Sequence, residues 1–171
     1  RSHLSQVWCQ TAASYYGVSG VETYSGGTEA TACNVRTIRA LRRAGLSAVV
    51  ASPGSNPVYM IRYSETDAPI RAFSKIYSAE GNPTSQFAAG MCCSSADRQC
   101  PSVSGADARF ALHYKDPKIA DDTEDETRTY DERSFQIAQE MFFVMSEVSR
   151  MVVSTSHPSE AAGAPQDRTL P

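Results

Sequence analysis

The sequence predicts an α/β fold in three layers, with an open, mostly parallel sheet and helices on both of its faces. Strand and helix patterns alternate along the 171 residues, as they do in folds of this class. A short apolar run at 86–91 is bounded by polar residues, which is typical of a buried parallel strand. The length suits one domain with one core, which we assign to residues 1–153. The Pro-, Ala- and Ser-rich tail at 154–171 is predicted to be disordered.

Two helices and three strands are predicted in the first half of the chain. One face of the first helix consists of residues at helical spacing, namely Leu4, Val7, Trp8, Thr11, Ala12 and Tyr15. That helix ends at Gly17, and the second runs from the capping residue Asn34 to Gly45. The predicted strands lie at 21–25, 47–51 and 58–63. No element is assigned to 64–83.

The second half of the chain is predicted to carry two strands and a long helix. The run at 86–91 delivers Cys92 and Cys93 to its carboxyl end, where ligands bind in open α/β sheets. The last strand lies at 108–114 and is followed by Asp116 and Pro117. An acidic stretch then leads into the helix, whose predicted apolar face contains Phe135, Ala138, Met141, Phe142, Met145, Val148 and Val152.

Three of the five cysteines, Cys92, Cys93 and Cys100, lie within nine residues. A thiol that passes its oxidation on needs a second thiol nearby, and Cys93 with Cys100 meets that need. If the residues between them were helical, their Cα atoms would be roughly 10 Å apart, whereas a disulfide tolerates ~4.4–6.8 Å. A bridge therefore requires the segment to unwind. The alternatives are small buried hydrophobes and a zinc site that adds His113, which the spacing disfavours.

Composition excludes several classes of function. The net charge of -3 and the absence of a Lys/Arg-rich block give no electrostatic footprint for nucleic acid. No apolar run approaches the ~20 residues of a membrane span. An odd number of cysteines without a secretory signal favours a reducing, cytoplasmic location. We expect a monomer without a cofactor or metal, and we expect Cys9 and Cys33 to be structural.

Four motifs, in this order, carry a family resemblance: Arg1-Ser2, Ser25-Gly26-Gly27-Thr28, Cys93-x6-Cys100-Pro101 and Asp116-Pro117. They resemble motifs of the low-molecular-weight protein tyrosine phosphatases and of the thioredoxin-coupled arsenate reductases that share their fold. In that family Arg-Ser ends the phosphate-binding loop Cys-x5-Arg-Ser, and the turn reads Ser-Ala-Gly-Thr. The Cys-x6-Cys-Pro motif is similar to that of the reductase branch. The resemblance extends from residue 1 to about residue 153.

The resemblance implies a role for each candidate site residue. Arg1 would grip the oxyanion at a helix N-terminus, and the Ser2 hydroxyl would lower the pKa of the loop thiolate. The nucleophile would be a cysteine six residues before Arg1. Asp116 would be the general acid. Cys93 would then attack the sulfur of the nucleophile, and Cys100 would attack Cys93, leaving a disulfide for thioredoxin to reduce.

Cys92 departs from the family pattern, in which the residue before the resolving thiol is more often not a cysteine. Alternation along a strand directs Cys92 and Cys93 to opposite faces. The spacing of the Cys-x6-Cys motif favours Cys93 as the thiol that faces the loop. Three hypotheses follow: a reductase of arsenate, a phosphatase of phosphomonoesters such as phosphotyrosine, or an inactive fragment that keeps only binding surfaces. The resemblance also places the first strand and most of the loop before residue 1, so we expect the 171-residue polypeptide alone to be unstable and inactive.

Overall fold

A computed structural model of the chain describes residues 1–99 and 102–156. Cys100, Pro101 and the predicted tail from 157 onward lie outside the described residues. The prediction of a mixed α/β fold is confirmed. The helices are α1 (Ser2–Tyr15), α2 (Val35–Arg43), α3 (Ser94–Gln99) and α4 (Glu126–Ser156), with a short 3-10 helix at Pro117–Ala120. The strands are β1 (Ser47–Ser52), β2 (Val58–Arg62), β3 (Ile70–Ala72), β4 (Phe87–Met91) and β5 (Ala106–Ala111).

The described strands form two small sheets in place of one mostly parallel sheet. The first has the order β1-β2-β3 and is antiparallel throughout. The connections explain this, because short loops such as 53–57 permit a hairpin, whereas a parallel pair needs a crossover of a dozen residues or more. β3 lies in the stretch for which the sequence predicted no element.

The second sheet pairs β4 with β5 in parallel, as the sequence predicted for the 86–91 strand. The connection between these strands contains α3 and provides the crossover that parallel pairing requires. The pairing brings the carboxyl end of β4, where Cys92 and Cys93 follow, beside the residues after β5. Tyr114 continues the ladder, since its N–H donates to the carbonyl of Cys92 at 3.0 Å.

The strand predicted at 21–25 is wrong, because side chains of α1 take the backbone bonds that a neighbouring strand would have made. The Gln10 amide donates to the carbonyl of Val21 at 3.0 Å and accepts from the N–H of Thr23 at 3.0 Å. Gln6 donates to the carbonyl of Thr23 at 3.0 Å. The segment is therefore extended and attached to the helix rather than to a sheet.

α2 has the boundaries that its capping residues predict. The Asn34 side chain accepts from the N–H of Arg36 at 2.9 Å, which satisfies one of the free donors at the helix start. Beyond the other end, Gly45 has a φ of 99°, a conformation that glycine adopts without strain.

The core lies where α1 and α2 pack against α4 and the antiparallel sheet. Its fully buried side chains include Leu4, Val7, Ile38, Leu41, Ile61 and Ile137. The buried stripe of α4 comprises Tyr130, Ser134, Ile137, Met141 and Met145. The predicted face was wrong at Phe135 and Val152, which are 64% and 51% exposed. In the observed rotation of the helix, Ser134 accepts a hydrogen bond from the indole N–H of Trp8 at 2.9 Å. Phe135 lies outside the buried stripe.

Among the described residues, no helix combines the length and the apolar character that crossing a membrane requires.

Candidate functional site

The candidate site lies where the start of α1 meets the segment that follows β5. Arg1 precedes the first turn of α1, and its Nη2 donates to Oδ2 of Asp116 at 2.7 Å. Its Nη1 donates to the backbone carbonyl of Tyr114 at 3.1 Å. The contact with Asp116 joins residues 115 positions apart in the sequence. The structure thus brings together the two charged residues among the site candidates.

Asp116 has a second contact that fixes its orientation. Its Oδ1 accepts from the N–H of Lys118 at 3.1 Å and so caps the 3-10 helix that begins at Pro117. Both carboxylate oxygens are engaged, although the side chain remains 42% exposed. The guanidinium of Arg1 has five N–H donors, of which Tyr114 and Asp116 take two. An anion that binds Arg1 must therefore compete with the Asp116 carboxylate for the guanidinium.

A thiol near the start of α1 belongs to Cys92. Its Sγ is 3.4 Å from the Oγ of Ser5, one turn into α1. The same hydroxyl lies 3.2 Å from the carbonyl oxygen of Arg1, to which it donates. Burial raises the pKa of the Cys92 thiol, and the hydrogen bond between Ser5 and Cys92 offsets part of that rise.

Cys92, which the sequence prediction placed on the face away from the loop, lies beside the first turn of α1. Cys92 continues the ladder of β4 for one residue, so its side chain alternates with that of Met91, which is buried. Alternation predicts that Cys92 and Cys93 differ in direction, but it does not predict which of them lies nearer to α1. Ser5, absent from the sequence prediction, had no signal beyond its place one turn after Arg1.

Cys93 lies at the start of α3 and is partly buried. Its carbonyl accepts from the N–H of Asp97 at 3.0 Å, which closes the first turn of that helix. The residues between Cys93 and its predicted partner are helical, as the distance argument had assumed. Cys100 itself lies outside the described residues. Ser2, the remaining site candidate, is the first residue of α1 and is partly buried.

The turn at Ser25-Gly26-Gly27-Thr28 closes against the segment after β3. Gly27 donates to the carbonyl of Lys75 and accepts from the N–H of Tyr77, both at 2.9 Å. A Cβ on Gly26 would lie 2.4 Å from the Cα of Tyr77, so the backbones approach too closely for any side chain. Glycine at position 26 therefore has a steric reason.

The two thiols predicted to be structural lie in environments that suppress their reactivity. Burial raises the pKa of both Cys9 and Cys33 to about 11. Cys33 is only 3% exposed and belongs to the core. Since the thiolate is the nucleophile, these two thiols react slowly at neutral pH.

A second charged cluster, which the sequence did not single out, joins α3 to β5. The Asp97 carboxylate accepts from Arg109 on β5 through one oxygen and pairs with Nε2 of His113 at 2.7 Å through the other. These contacts lower the pKa of Asp97, with His113 as the main cause. The only sequence signal was the spacing of Arg109 and His113, which lie four positions apart. That spacing is too common to indicate a cluster.

Within 1–99 and 102–156, no three His, Cys, Asp or Glu side chains converge in a way that could hold a metal ion. A scan of the sequence against protein-family models finds no match, and a search of curated proteins finds none either.

Proposed function

We propose that this chain belongs to an arsenate reductase of the thioredoxin-coupled type, which reduces arsenate to arsenite through a thiol–disulfide relay. The observation that carries the proposal is the contact of Arg1 with Asp116 at 2.7 Å, beside the cysteine-bearing end of β4. An anion-binding cation, a carboxyl group and thiols are the groups that this reaction needs, and they come from three distant parts of the sequence.

The chemistry at Arg1 begins with an oxyanion. The start of a helix offers free N–H groups and a favourable dipole for a tetrahedral anion. The guanidinium neutralises the charge that accumulates in the transition state. In the proposed mechanism a cysteine thiolate, six residues before Arg1, attacks arsenic, and Asp116 as the general acid delivers a proton to the oxygen that leaves as water.

The relay then moves two electrons. The Cys93 thiolate attacks the sulfur of the arsenic-bound cysteine, a disulfide forms, and the electron pair of the broken As–S bond reduces As(V) to As(III), which leaves as arsenite. Cys100 next attacks the sulfur of Cys93 and releases the first cysteine as a thiolate. The Cys93–Cys100 disulfide takes two electrons from the dithiol of thioredoxin, which is the proposed partner.

The finer fold also belongs to this proposal. We infer a three-layer fold of the low-molecular-weight phosphatase type, completed by a strand that precedes Arg1. The parallel pairing of β4 with β5 through a connection that contains a helix supports this, because such pairs occur in folds of this class. The protein would act as a cytoplasmic monomer.

Substitution of the thiols tests the function in the natural polypeptide that carries the proposed nucleophile. We expect Cys93→Ser and Cys100→Ser to abolish arsenate turnover, measured as NADPH oxidation coupled through thioredoxin and its reductase. Hydrolysis of p-nitrophenyl phosphate should persist in both variants, because a phosphoryl-cysteine is resolved by water. Cys9→Ser, which removes a thiol of raised pKa remote from the relay, is the control and should keep both activities.

Wild-type protein that hydrolyses the phosphoester but leaves arsenate unreduced would establish the phosphatase instead. Unchanged arsenate turnover in Cys93→Ser would overturn the relay.

A further inference from the structure

Tyr114, a buried residue between β5 and Asp116, contacts two parts of the candidate site through its backbone. Only 3% of its surface is exposed. Its N–H donates to the carbonyl of Cys92 at 3.0 Å, and its own carbonyl accepts from Nη1 of Arg1 at 3.1 Å. One peptide segment therefore connects the strand that leads to the cysteines with the residue that precedes α1.

The side chain of Tyr114 is fixed to α4. Its hydroxyl donates to Oε2 of Glu140 at 2.8 Å. The other carboxylate oxygen of Glu140 accepts from the amide of Gln136 at 2.9 Å, one turn earlier on the same helix. Burial and the bond to Glu140 raise the pKa of Tyr114, so the hydroxyl keeps its proton and remains the donor. The position of the Tyr114 segment is thus tied to a helix of the core.

The two contacts of the Arg1 guanidinium respond differently to an incoming oxyanion. The Asp116 carboxylate at Nη2 has a charge of the same sign as the oxyanion, so the two compete. The carbonyl of Tyr114 has no net charge and binds Nη1, so it stays in place when the oxyanion replaces the carboxylate. Because the guanidinium is planar and rigid, an acceptor fixed at Nη1 also fixes the direction of the other N–H groups. A donor that is oriented in advance loses less entropy on binding.

We propose that Tyr114 is a positioning residue for Arg1: its carbonyl directs the guanidinium to the oxyanion, and Glu140 on α4 holds Tyr114 in place. This inference rests on the proposed function, which makes Arg1 the anion-binding group. Tyr114 acts through Arg1, because its hydroxyl binds Glu140 and only its backbone contacts the candidate site. The affinity for the oxyanion therefore depends on a buried hydrogen bond to α4, away from the charges that bind it.

The test measures the binding of inorganic phosphate by isothermal titration calorimetry, in the natural polypeptide that carries the proposed nucleophile. Phosphate has the tetrahedral shape and the charge of arsenate but is not reduced by thiols, so binding is separated from turnover. We expect Tyr114→Phe, which removes only the hydroxyl, to raise the Kd of phosphate about fivefold, the scale of one hydrogen bond. Glu140→Ala removes the acceptor and should raise the Kd by a similar factor.

Two further variants separate positioning from stability. Glu140→Gln keeps an oxygen that accepts from the Tyr114 hydroxyl, so the Kd should stay near the wild-type value. Tyr130→Phe is the matched control, because Tyr130 is 2% exposed and its hydroxyl donates to a carboxylate oxygen of Asp121, also at 2.8 Å. It should lower the melting temperature at least as much as Tyr114→Phe does and leave the Kd of phosphate unchanged.

The outcomes distinguish this inference from the function beneath it. If Tyr114→Phe is less stable than wild type but binds phosphate equally well, Tyr114 is only structural and the inference fails. It also fails if Glu140→Gln weakens binding as much as Glu140→Ala. Should Tyr114→Phe not fold, the two Glu140 variants decide the question. Wild-type protein that binds phosphate without reducing arsenate contradicts the proposed reductase, and the comparison of Kd values still decides this inference. Wild-type protein that does not bind phosphate contradicts both.

Discussion

At the scale of single residues, Asp116 uses its two carboxylate oxygens for different tasks. One caps the 3-10 helix at Lys118, and the other binds the guanidinium of Arg1. The cap fixes the carboxylate so that its other oxygen lies beside Arg1. A single side chain thus caps the 3-10 helix and pairs with the residue that precedes α1.

Asp116→Asn keeps the size of the side chain and removes its ability to give a proton. We expect kcat to fall about 10²–10⁴-fold for arsenate reduction and for p-nitrophenyl phosphate hydrolysis, the usual range for loss of a general acid. Steady-state kinetics of the natural polypeptide measure this. Asp125→Asn, on an exposed carboxylate of the acidic stretch, serves as the comparison. If kcat falls less than about tenfold in Asp116→Asn, and no more than it does in Asp125→Asn, Asp116 only holds Arg1.

At the scale of elements, α4 shows how a helical pattern can be recognised while its buried face is assigned in error. Hydrophobic residues cover more than one face of this helix, so periodicity alone allows several rotations. In the observed rotation Trp8 donates to Ser134, and Ile137 is completely buried. The predicted face shares Met141 and Met145 with the buried stripe but omits Ile137, so periodicity located the helix without fixing its rotation.

Two substitutions on this helix should differ sharply in effect. Ile137→Ala removes a side chain with no exposed surface, and we expect the free energy of unfolding to fall by about 2–5 kcal/mol. Phe135→Ala removes a larger side chain that is mostly exposed, and the change should stay within about 0.5 kcal/mol. Urea unfolding followed by circular dichroism measures both. Equal destabilisation by the two variants would mean that the buried stripe is wrongly assigned.

At the scale of the whole molecule, ion pairs connect elements that are distant in the sequence. Arg36 on α2 binds Glu126 at 2.7 Å and Asp122 at 2.6 Å, which joins α2 to the start of α4. The Asp97 carboxylate joins α3 to the β5 segment in the same way, through Arg109 and His113. Hydrogen bonds from Arg36 lower the pKa of Glu126, as those from His113 and Arg109 lower the pKa of Asp97.

These shifts have a definite sign in the pH dependence of stability. A carboxyl group whose pKa is lower in the folded state stabilises the fold above its ordinary pKa, and this contribution is lost as the pH falls through the folded value. We therefore expect the free energy of unfolding to decline from about pH 5 to about pH 3. Arg36→Gln should make that decline shallower. Arg62→Gln, at the exposed last residue of β2, should leave it unchanged. Stability that stays constant over this interval would contradict the assignment.

Much of the local structure could be predicted because its causes are local. Asn34 and Gly45 set the limits of α2 through a cap and a left-handed residue, both within a few positions of the helix. The strand predicted at 21–25 failed for the opposite reason, since its backbone partners are the side chains of Gln6 and Gln10 on α1. Nothing within the segment itself indicates that contact.

The same division applies to the candidate site. The sequence by itself determined α1, α2, α4 and most strands, the parallel strand that ends at the cysteines, and the chemical types that Arg1, Asp116 and the clustered thiols supply. Only the tertiary structure decided that Arg1 meets Asp116 across 115 positions, that Cys92 contacts Ser5, and that the Asp97 carboxylate contacts Arg109 and His113. The physical reason is range. Caps and periodicity act within a few turns of backbone, whereas these contacts join residues that are 12 to 115 positions apart in the sequence.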